Sequence, residues 1–218
     1  MKRILSVLAA ALWLAAPAFA QDAAPPAPSP APASAPGGPE ATLATSMGTI
    51  VIALDRDRAP ATVANFIRYA KDGHFNGTLF YRVVPGFVLQ AGSYDVHGKY
   101  RKLRKPIPLE SGNGLSNVRG AVAMARDPAK PASATAEFFI DLADNGPRGL
   151  DPKPGDAPNT TGYAVFGHVV EGMDVADKIA AVPVGGGKGP FPEAQPATPV
   201  VIETVTIGEP PPVPTPAP

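Results

Sequence analysis

Phe80-Tyr81-Arg82-Val83-Val84-Pro85-Gly86-Phe87-Val88-Leu89-Gln90-Ala91-Gly92 decides how the chain is read. Aromatic and β-branched residues run up to Val84, Pro85-Gly86 is a tight-turn signal, and a second apolar run follows. The stretch is therefore expected to be two strands joined by a turn. Side chains alternate along a strand, so Phe80, Arg82 and Val84 are expected on one face and Tyr81 and Val83 on the other. After the turn, Val88 and Gln90 share a face by the same rule. An arginine, a glutamine and a phenylalanine beside an apolar sheet surface make a pocket with a hydrophobic floor and a few fixed hydrogen-bond donors. An edge strand with Arg82 and Gln90 facing water is the alternative that the stretch alone leaves open.

Working outward, 41–54 reads as two short strands with Met47-Gly48 at the turn. Pro60 suits a first helical turn, Val63, Phe66, Ile67 and Ala70 recur at helical spacing, and Gly73 is the stop. Residues 93–105 are polar and read as a surface loop. Their Lys99, Arg101, Lys102, Arg104 and Lys105 form a solvated rim, with a grip on acidic clients as the alternative. Further strands are expected over 106–110, 121–125, 137–142, 163–170 and 200–207, and a short amphipathic helix over 173–181. The segment 144–161 carries prolines 147, 152, 154 and 158 and is expected to lack regular structure. Many strands and two helices without βαβ alternation predict a mainly β protein, an antiparallel barrel or sandwich.

The ends differ from this middle. Lys2 and Arg3, an apolar run over 4–16 and Ala18-Phe19-Ala20 read as a signal peptide over 1–20, cleaved after Ala20. The run is shorter than the roughly 20 residues that span a bilayer, so export without an anchor is expected. Residues 21–40 are alanine, proline and serine and read as a disordered linker, and 210–218 as a proline-rich tail. Between them, 41–209 forms one domain large enough for its own core. No cysteine is present, so stability comes from that core and not from disulfides. Beyond the signal the chain has 17 basic and 19 acidic residues, which suggests neither nucleic acid nor an anionic membrane as partner.

The central stretch resembles the FxRxxPGFxxQxG signature of the cyclophilin peptidyl-prolyl isomerases. Glu137-Phe138-Phe139-Ile140 is similar to that family's (S/A)xFFI strand. Gly162-Tyr163-Ala164-Val165-Phe166-Gly167, with Val170-Glu171-Gly172-Met173, is similar to its VFGxVxxGMxV segment. The resemblance covers about 41–207. It implies an eight-stranded antiparallel barrel closed by two helices, isomerisation of X-Pro bonds in unfolded or flexible polypeptides, and no cofactor or metal. It implies Arg82 as the catalytic guanidinium, and Phe87, Val88, Phe139 and Leu150 as the proline pocket. Gln90 would hold substrate backbone, Ala125 and Arg126 would line the groove for the preceding residue, and Tyr163 would close the pocket edge. Glu137 stands on the substrate side where many members carry glutamine. A carboxylate there weakens the backbone grip or pairs with Arg82 or Arg126. Tyr163 replaces a histidine of many eukaryotic members, and residues 145–149 replace a tryptophan, which counts against tight cyclosporin binding.

The chemistry fits these residue types. No nucleophile and base lie near Arg82, but rotation about an X-Pro amide needs none. Its barrier of roughly 18–20 kcal/mol comes from amide resonance. A guanidinium donating to the prolyl nitrogen favours the twisted, non-resonant state, a contact stronger in the transition state than in the ground state. Lowering the barrier by roughly 5–7 kcal/mol gives about 10⁴–10⁵-fold. Alternation places Phe139 and Glu137 on one face and Phe138 on the other, so one phenylalanine can line a pocket while its neighbour fills the core.

Other motifs are poor. Gly185-Gly186-Gly187-Lys188-Gly189 lacks the Ser or Thr of a phosphate loop and runs into Pro190, so it reads as a flexible connection. His74, His97 and His168 lack metal-ligand spacing, and Asp151, Asp156 and Asn159 do not form an EF-hand loop. The competing functions are a module that binds proline segments without turning them over and a purely structural exported barrel. Export fits the periplasm of a Gram-negative bacterium, with proline-containing polypeptides as partners. Nothing in the sequence indicates a dimer, so a monomer is expected.

Overall fold

The computed structural model describes residues 38–208 apart from 156, 158, 159, 188 and 189. The signal peptide, most of the linker, the tail, and Asp156, Asn159 and Lys188 of the weaker motifs lie outside the described residues.

Eight strands carry the fold: β1 (Glu40–Thr45), β2 (Gly48–Leu54), β3 (Thr78–Val84), β4 (Val88–Asp95), β5 (Ala121–Met124), β6 (Phe138–Asp141), β7 (Val165–Glu171) and β8 (Val201–Gly208). They pair antiparallel in the order β1-β2-β7-β5-β6-β4-β3-β8, and β8 returns to β1, so the sheet is the closed barrel that the resemblance implied. Closure leaves no free sheet edge. Two helices, α1 (Pro60–Lys71) and α2 (Met173–Ala180), pack their apolar residues onto it. Among the described residues no helix is long and apolar enough to cross a membrane.

The interior is filled by alternate side chains of the strands and by Phe66 of α1. Phe66 stacks on Phe75 at 4.9 Å between centroids, meets Phe138 edge-on at 5.5 Å and lies 5.2 Å from Phe166. Ile50, Ile52, Leu43 and Leu89 complete a fully buried core around them.

Three expectations change. Residues 106–110 form no strand: prolines 106 and 108 have no amide hydrogen to donate to a ladder, and Ile107 makes a single backbone bond to Ala134 O at 3.0 Å. The segment instead carries Glu110 to the start of α1. There Ala59 offers no side-chain cap, and the Glu110 carboxylate accepts from Ala61 N at 3.1 Å, Thr62 N at 2.8 Å and Thr62 Oγ1 at 2.7 Å. It satisfies orphan amides of the first turn and suits the positive end of the helix dipole. The loop expected from 93 begins later, because β4 continues to Asp95. The segment 144–161 is not wholly irregular: over Gly146–Leu150 the backbone makes a wide turn, with Leu150 N donating to Asn145 O at 3.3 Å and Asp151 N to Gly146 O at 3.4 Å, that is broken at Gly149, whose φ is +111°.

Candidate active site

The central hairpin forms as its sequence predicts. Val84 O accepts from Phe87 N at 2.9 Å, with Pro85 fixing one corner of the turn and Gly86, at φ +67°, the other. The strand before it does not alternate as expected. Phe80 pairs with Ala91 while Arg82 pairs with Gln90, so two steps of β3 match one of β4, and Tyr81 is the extra residue of a bulge. Phe80 and Val83 therefore point into the barrel core, whereas Arg82 faces outward. The bulge separates Phe80 and Arg82, which strict alternation had put on one face.

Register then lines up the outer face. Arg82 pairs with Gln90, Gln90 with Phe139, Phe139 with Ala123, and Ala123 with Val165, a single row across five strands. Val88, Ala123, Phe139 and Val165 form a second apolar cluster, distinct from the barrel core, with Phe87, Leu150 and Tyr163 packed against it. Phe138, one residue from Phe139, lies in the inner core, as the alternation argument required. Gly92 of β4 admits no side chain, since a Cβ there would meet Ala136 O at 2.5 Å. That close approach brings 136–137 against β4.

Arg82, Phe87, Val88, Gln90, Ala125, Arg126, Phe139, Leu150 and Tyr163 together line one cavity of about 250 Å³, a volume suited to a small apolar ring. Phe139 meets Tyr163 edge-on at 5.5 Å. The walls are pinned from behind. Phe87 O accepts from Leu142 N and Asn145 Nδ2, each at 2.8 Å, and Arg148 Nη1 donates to Gly86 O at 2.9 Å. Leu150 O accepts from Tyr163 N at 2.9 Å and from Asn117 Nδ2 at 3.1 Å. Arg126 is part of the frame: it donates to Gly162 O at 2.9 Å and Thr161 Oγ1 at 3.0 Å, and lies 4.8 Å over the Tyr163 ring.

Arg82 is held without being used up. Its Nη1 donates to Gln90 Oε1 at 3.3 Å, and its guanidinium lies 6.0 Å from the Phe87 ring centre and 5.2 Å from that of Phe191. A guanidinium carries five donors, so most remain for a ligand in the cavity. Gln90 Nε2 in turn donates to the Tyr81 hydroxyl.

Glu137 does not line the cavity. It lies behind Gln90, where the Tyr81 hydroxyl hydrogen-bonds to it. Ser93 Oγ, buried and without hydrogen-bond geometry to a partner among the described residues, adds a weaker contribution. Burial pushes its carboxyl above the usual range, and the two hydroxyls offset part of that. Burial likewise holds the Tyr81 hydroxyl protonated, with the Glu137 charge adding to the effect.

Phe191 and Pro128 complete the cavity and were not foreseen. Phe191 follows the Gly185-to-Gly189 stretch read as a flexible connection, and the described residues on either side of it fold back on themselves. Gly185 N donates to Gln195 O at 2.9 Å, Val184 bridges Pro196, and Val83 N donates to Ala194 O at 2.7 Å. A phenylalanine isolated among glycines and prolines was the available signal, since it had no core of its own to fill.

Comparisons with known proteins agree with this geometry. Residues 41–207 match the family model for cyclophilin-type peptidyl-prolyl cis-trans isomerase. The chain is 45% identical over 165 residues to peptidyl-prolyl cis-trans isomerase A of Dickeya dadantii, covering 76% of this chain and 82% of that one. It is 43% identical over 168 residues to peptidyl-prolyl cis-trans isomerase B of Escherichia coli, covering 77% and 99%. In fold it is similar to a cyclophilin-type isomerase of Cryptosporidium parvum crystallised in the presence of the dipeptide Ala-Pro. The TM-score is 0.60 at 20% identity, covering 77% of this chain and 98% of the other. The barrel, its outer-face cavity and these likenesses together place the chain in the cyclophilin-type peptidyl-prolyl cis-trans isomerases, and it is an enzyme of that family.

Proposed function

We propose that the protein is exported to the periplasm, where it acts as a monomer and accelerates X-Pro isomerisation in exported polypeptides, assisting their folding. Arg82 is the catalytic group. The observation that carries this is a guanidinium fixed by Gln90 and two aromatic rings at the wall of a small apolar cavity. The prolyl ring enters between Phe87, Val88, Phe139 and Leu150, with Tyr163 at the edge, and Ala125 bounds the groove for the residue before proline. Gln90 holds the substrate backbone. As the amide twists, its nitrogen becomes pyramidal and gains a lone pair that a free Arg82 N–H can meet. That bond is worth most in the twisted state, so it lowers the barrier and not merely the affinity. No atom is transferred and no cofactor enters.

The test is cis-to-trans isomerisation of a short Ala-Pro peptide by the domain over 41–209, beside Arg82→Ala. The wild type should accelerate the reaction strongly, and the variant should lose about 10²–10³-fold in kcat/KM, the usual cost of one preorganised donor. If neither accelerates it while the domain still binds proline peptides, the protein is a recognition module, and Glu137 is the first suspect. Export is tested separately, by fractionating cells and sequencing the mature amino terminus. A new terminus at Gln21 in the periplasmic fraction supports it, and an intact Met1 in the cytoplasm overturns it.

A further inference from the structure

A concentration of basic side chains lies outside the catalytic cavity. Arg68 and Lys71 stand near the end of α1, and Lys99, Arg101, Lys102, Arg104 and Lys105 follow on the neighbouring loop. Two of the seven are committed to structure. Arg101 Nη1 donates to His74 O at 2.6 Å, and Arg104 pairs with Asp72. Asp95, the other acid here, is occupied by the amides of His97 and Lys99 at 2.9 and 3.0 Å. Arg68, Lys71, Lys99, Lys102 and Lys105 make no ion pair among the described residues.

These cations border a groove. A depression of about 770 Å³ walled by residues 99–103 shares His74, Lys102 and Leu103 with one of about 250 Å³. That one shares Arg104 with a third, of about 480 Å³, between α1 and residues 104–107. The loop is fastened to α1, since Arg104 N donates to Tyr69 Oη at 2.6 Å and the Arg104 guanidinium lies 5.7 Å over that ring. At its other end the groove lies about three aromatic rings from the catalytic cavity, the rings packed side by side with Tyr81 buried beneath the surface. Tyr100, 47% exposed, lies 4.8 Å from Tyr94, Tyr94 lies 4.7 Å from Tyr81, and Tyr81 stacks on Phe191 of the cavity wall at 6.3 Å.

We propose that this groove is an extended docking surface for an acidic polypeptide segment, the flank of the same chain whose proline occupies the catalytic cavity. The proposal rests on the isomerase reading only for what sits in the cavity. A polypeptide fits better than other polyanions for two reasons. The groove is concave with Tyr100, Leu103 and Ile107 among its lining, a shape that an extended chain can enter and a planar membrane cannot. The basic charge is also local, on a chain whose pI is about 6.8, whereas nucleic-acid binders concentrate a large net positive charge.

The test compares peptides with one Ala-Pro core, uncharged or carrying a run of glutamates several residues before or after the proline. The enzyme is the full mature chain or its Lys99→Glu/Lys102→Glu/Lys105→Glu variant. These three side chains are exposed and belong to no cavity wall of the catalytic site, so turnover of the uncharged peptide should be unchanged. The wild type should prefer one acidic-flanked peptide by about tenfold in kcat/KM at low salt, and the preference should collapse near 0.5 M salt, where the Debye length falls to a few ångströms. The variant should lose or invert it. Equal turnover of all peptides by the wild type, or a preference that survives in the variant, overturns the proposal. Binding of a single-stranded oligonucleotide or of phosphatidylglycerol vesicles more tightly than the acidic peptide overturns the choice of a polypeptide. Anisotropy of labelled peptides keeps the two readings apart: if no peptide is turned over but acidic ones bind selectively, the groove stands and the isomerase reading falls.

Discussion

The barrel has two apolar clusters built by the same strands, and they are made for different purposes. The inner one is closed on all sides, with Phe75, Phe138 and Phe166 each in ring contact with Phe66 and essentially no exposed surface. The outer one is a sheet surface covered by the segment 115–118, Leu150 and Tyr163, and it borders the cavity at Phe87, Val88 and Phe139. Phe138 and Phe139 are neighbours in sequence and belong to opposite clusters. Adjacent residues of one strand thus serve the sealed core and the cavity wall, because a strand has two faces and a closed barrel makes one of them interior.

That separation can be broken most sharply at these two phenylalanines. Phe138→Ala leaves a cavity that the surrounding rings cannot fill and should cost about 3–5 kcal/mol of unfolding free energy. The fraction that remains folded should keep its kcat/KM. Phe139→Ala should cost clearly less stability, about 1–3 kcal/mol since the site already borders an opening, but should raise KM at least about tenfold through the lost apolar wall. Denaturant melts and peptide kinetics on both variants check this. Equal stability losses would mean that the outer cluster is core like the inner.

The polar network behind the outer cluster gives the next effect. Asp141, at the end of β6, is fully buried. Its Oδ1 accepts from Asn145 Nδ2 at 2.7 Å, and its Oδ2 has no partner among the described residues. Burial raises its pKa to about 8, the Asn145 bond opposes this, and Asp151 and Asp144 add to it. In the unfolded chain the carboxyl ionises near 4. Stability from this group is therefore complete below about pH 4 and is lost as pH rises toward about 8. Asp141→Asn should remove that slope, leaving stability nearly unchanged at pH 4 and raising it by about 1–3 kcal/mol at pH 8 and above. Thermal melts across this range decide it. A parallel shift at all pH values would show that the carboxyl does not titrate there.

The same contrast explains what the sequence could tell. Barrel strands were legible because both apolar patterns, alternating and continuous, show in a strand wherever it packs. The residues of the cavity were legible through their motifs, and nine of them converge on one space. Three features were not. The bulge at Tyr81 inserts a residue without any turn signal, so alternation misplaced Phe80 against Arg82. The stretch 106–110 has the composition of a strand apart from its prolines, and its use depends on its own carboxylate, Glu110, meeting α1, which is distant in sequence. Phe191 reaches the cavity through backbone bonds from β3 to residue 194, a long-range contact that no local pattern reports. Glu110→Ala, which removes the acceptor for two first-turn amides, should cost about 1 kcal/mol and leave the catalytic parameters intact.

The smallest effect lies in the link between the clusters' polar edge and Arg82 of the cavity wall. Arginine only donates, so the oxygen of Gln90 must face Arg82, and its NH₂ must face the Tyr81 hydroxyl. The Tyr81 oxygen thereby accepts, and its own proton is directed to the Glu137 carboxylate. Tyr81→Phe removes both roles, leaving Nε2 of Gln90 without its acceptor, and should lower kcat/KM by several-fold, roughly 1 kcal/mol. Glu137→Gln keeps a carbonyl that can accept from Tyr81 and should cost less at neutral pH, but it removes a titrating group. The groups that face Glu137 are Tyr81, Tyr94 and Tyr100, all held protonated by burial, so the carboxyl is the one that changes charge on the acid side. Its pKa is raised, so the wild-type rate should begin to fall with decreasing pH above the ordinary glutamate range, while the Glu137→Gln rate stays flat there. Superimposable profiles would mean that Gln90 keeps its orientation without Glu137, and that the arginine is held by its aromatic neighbours alone.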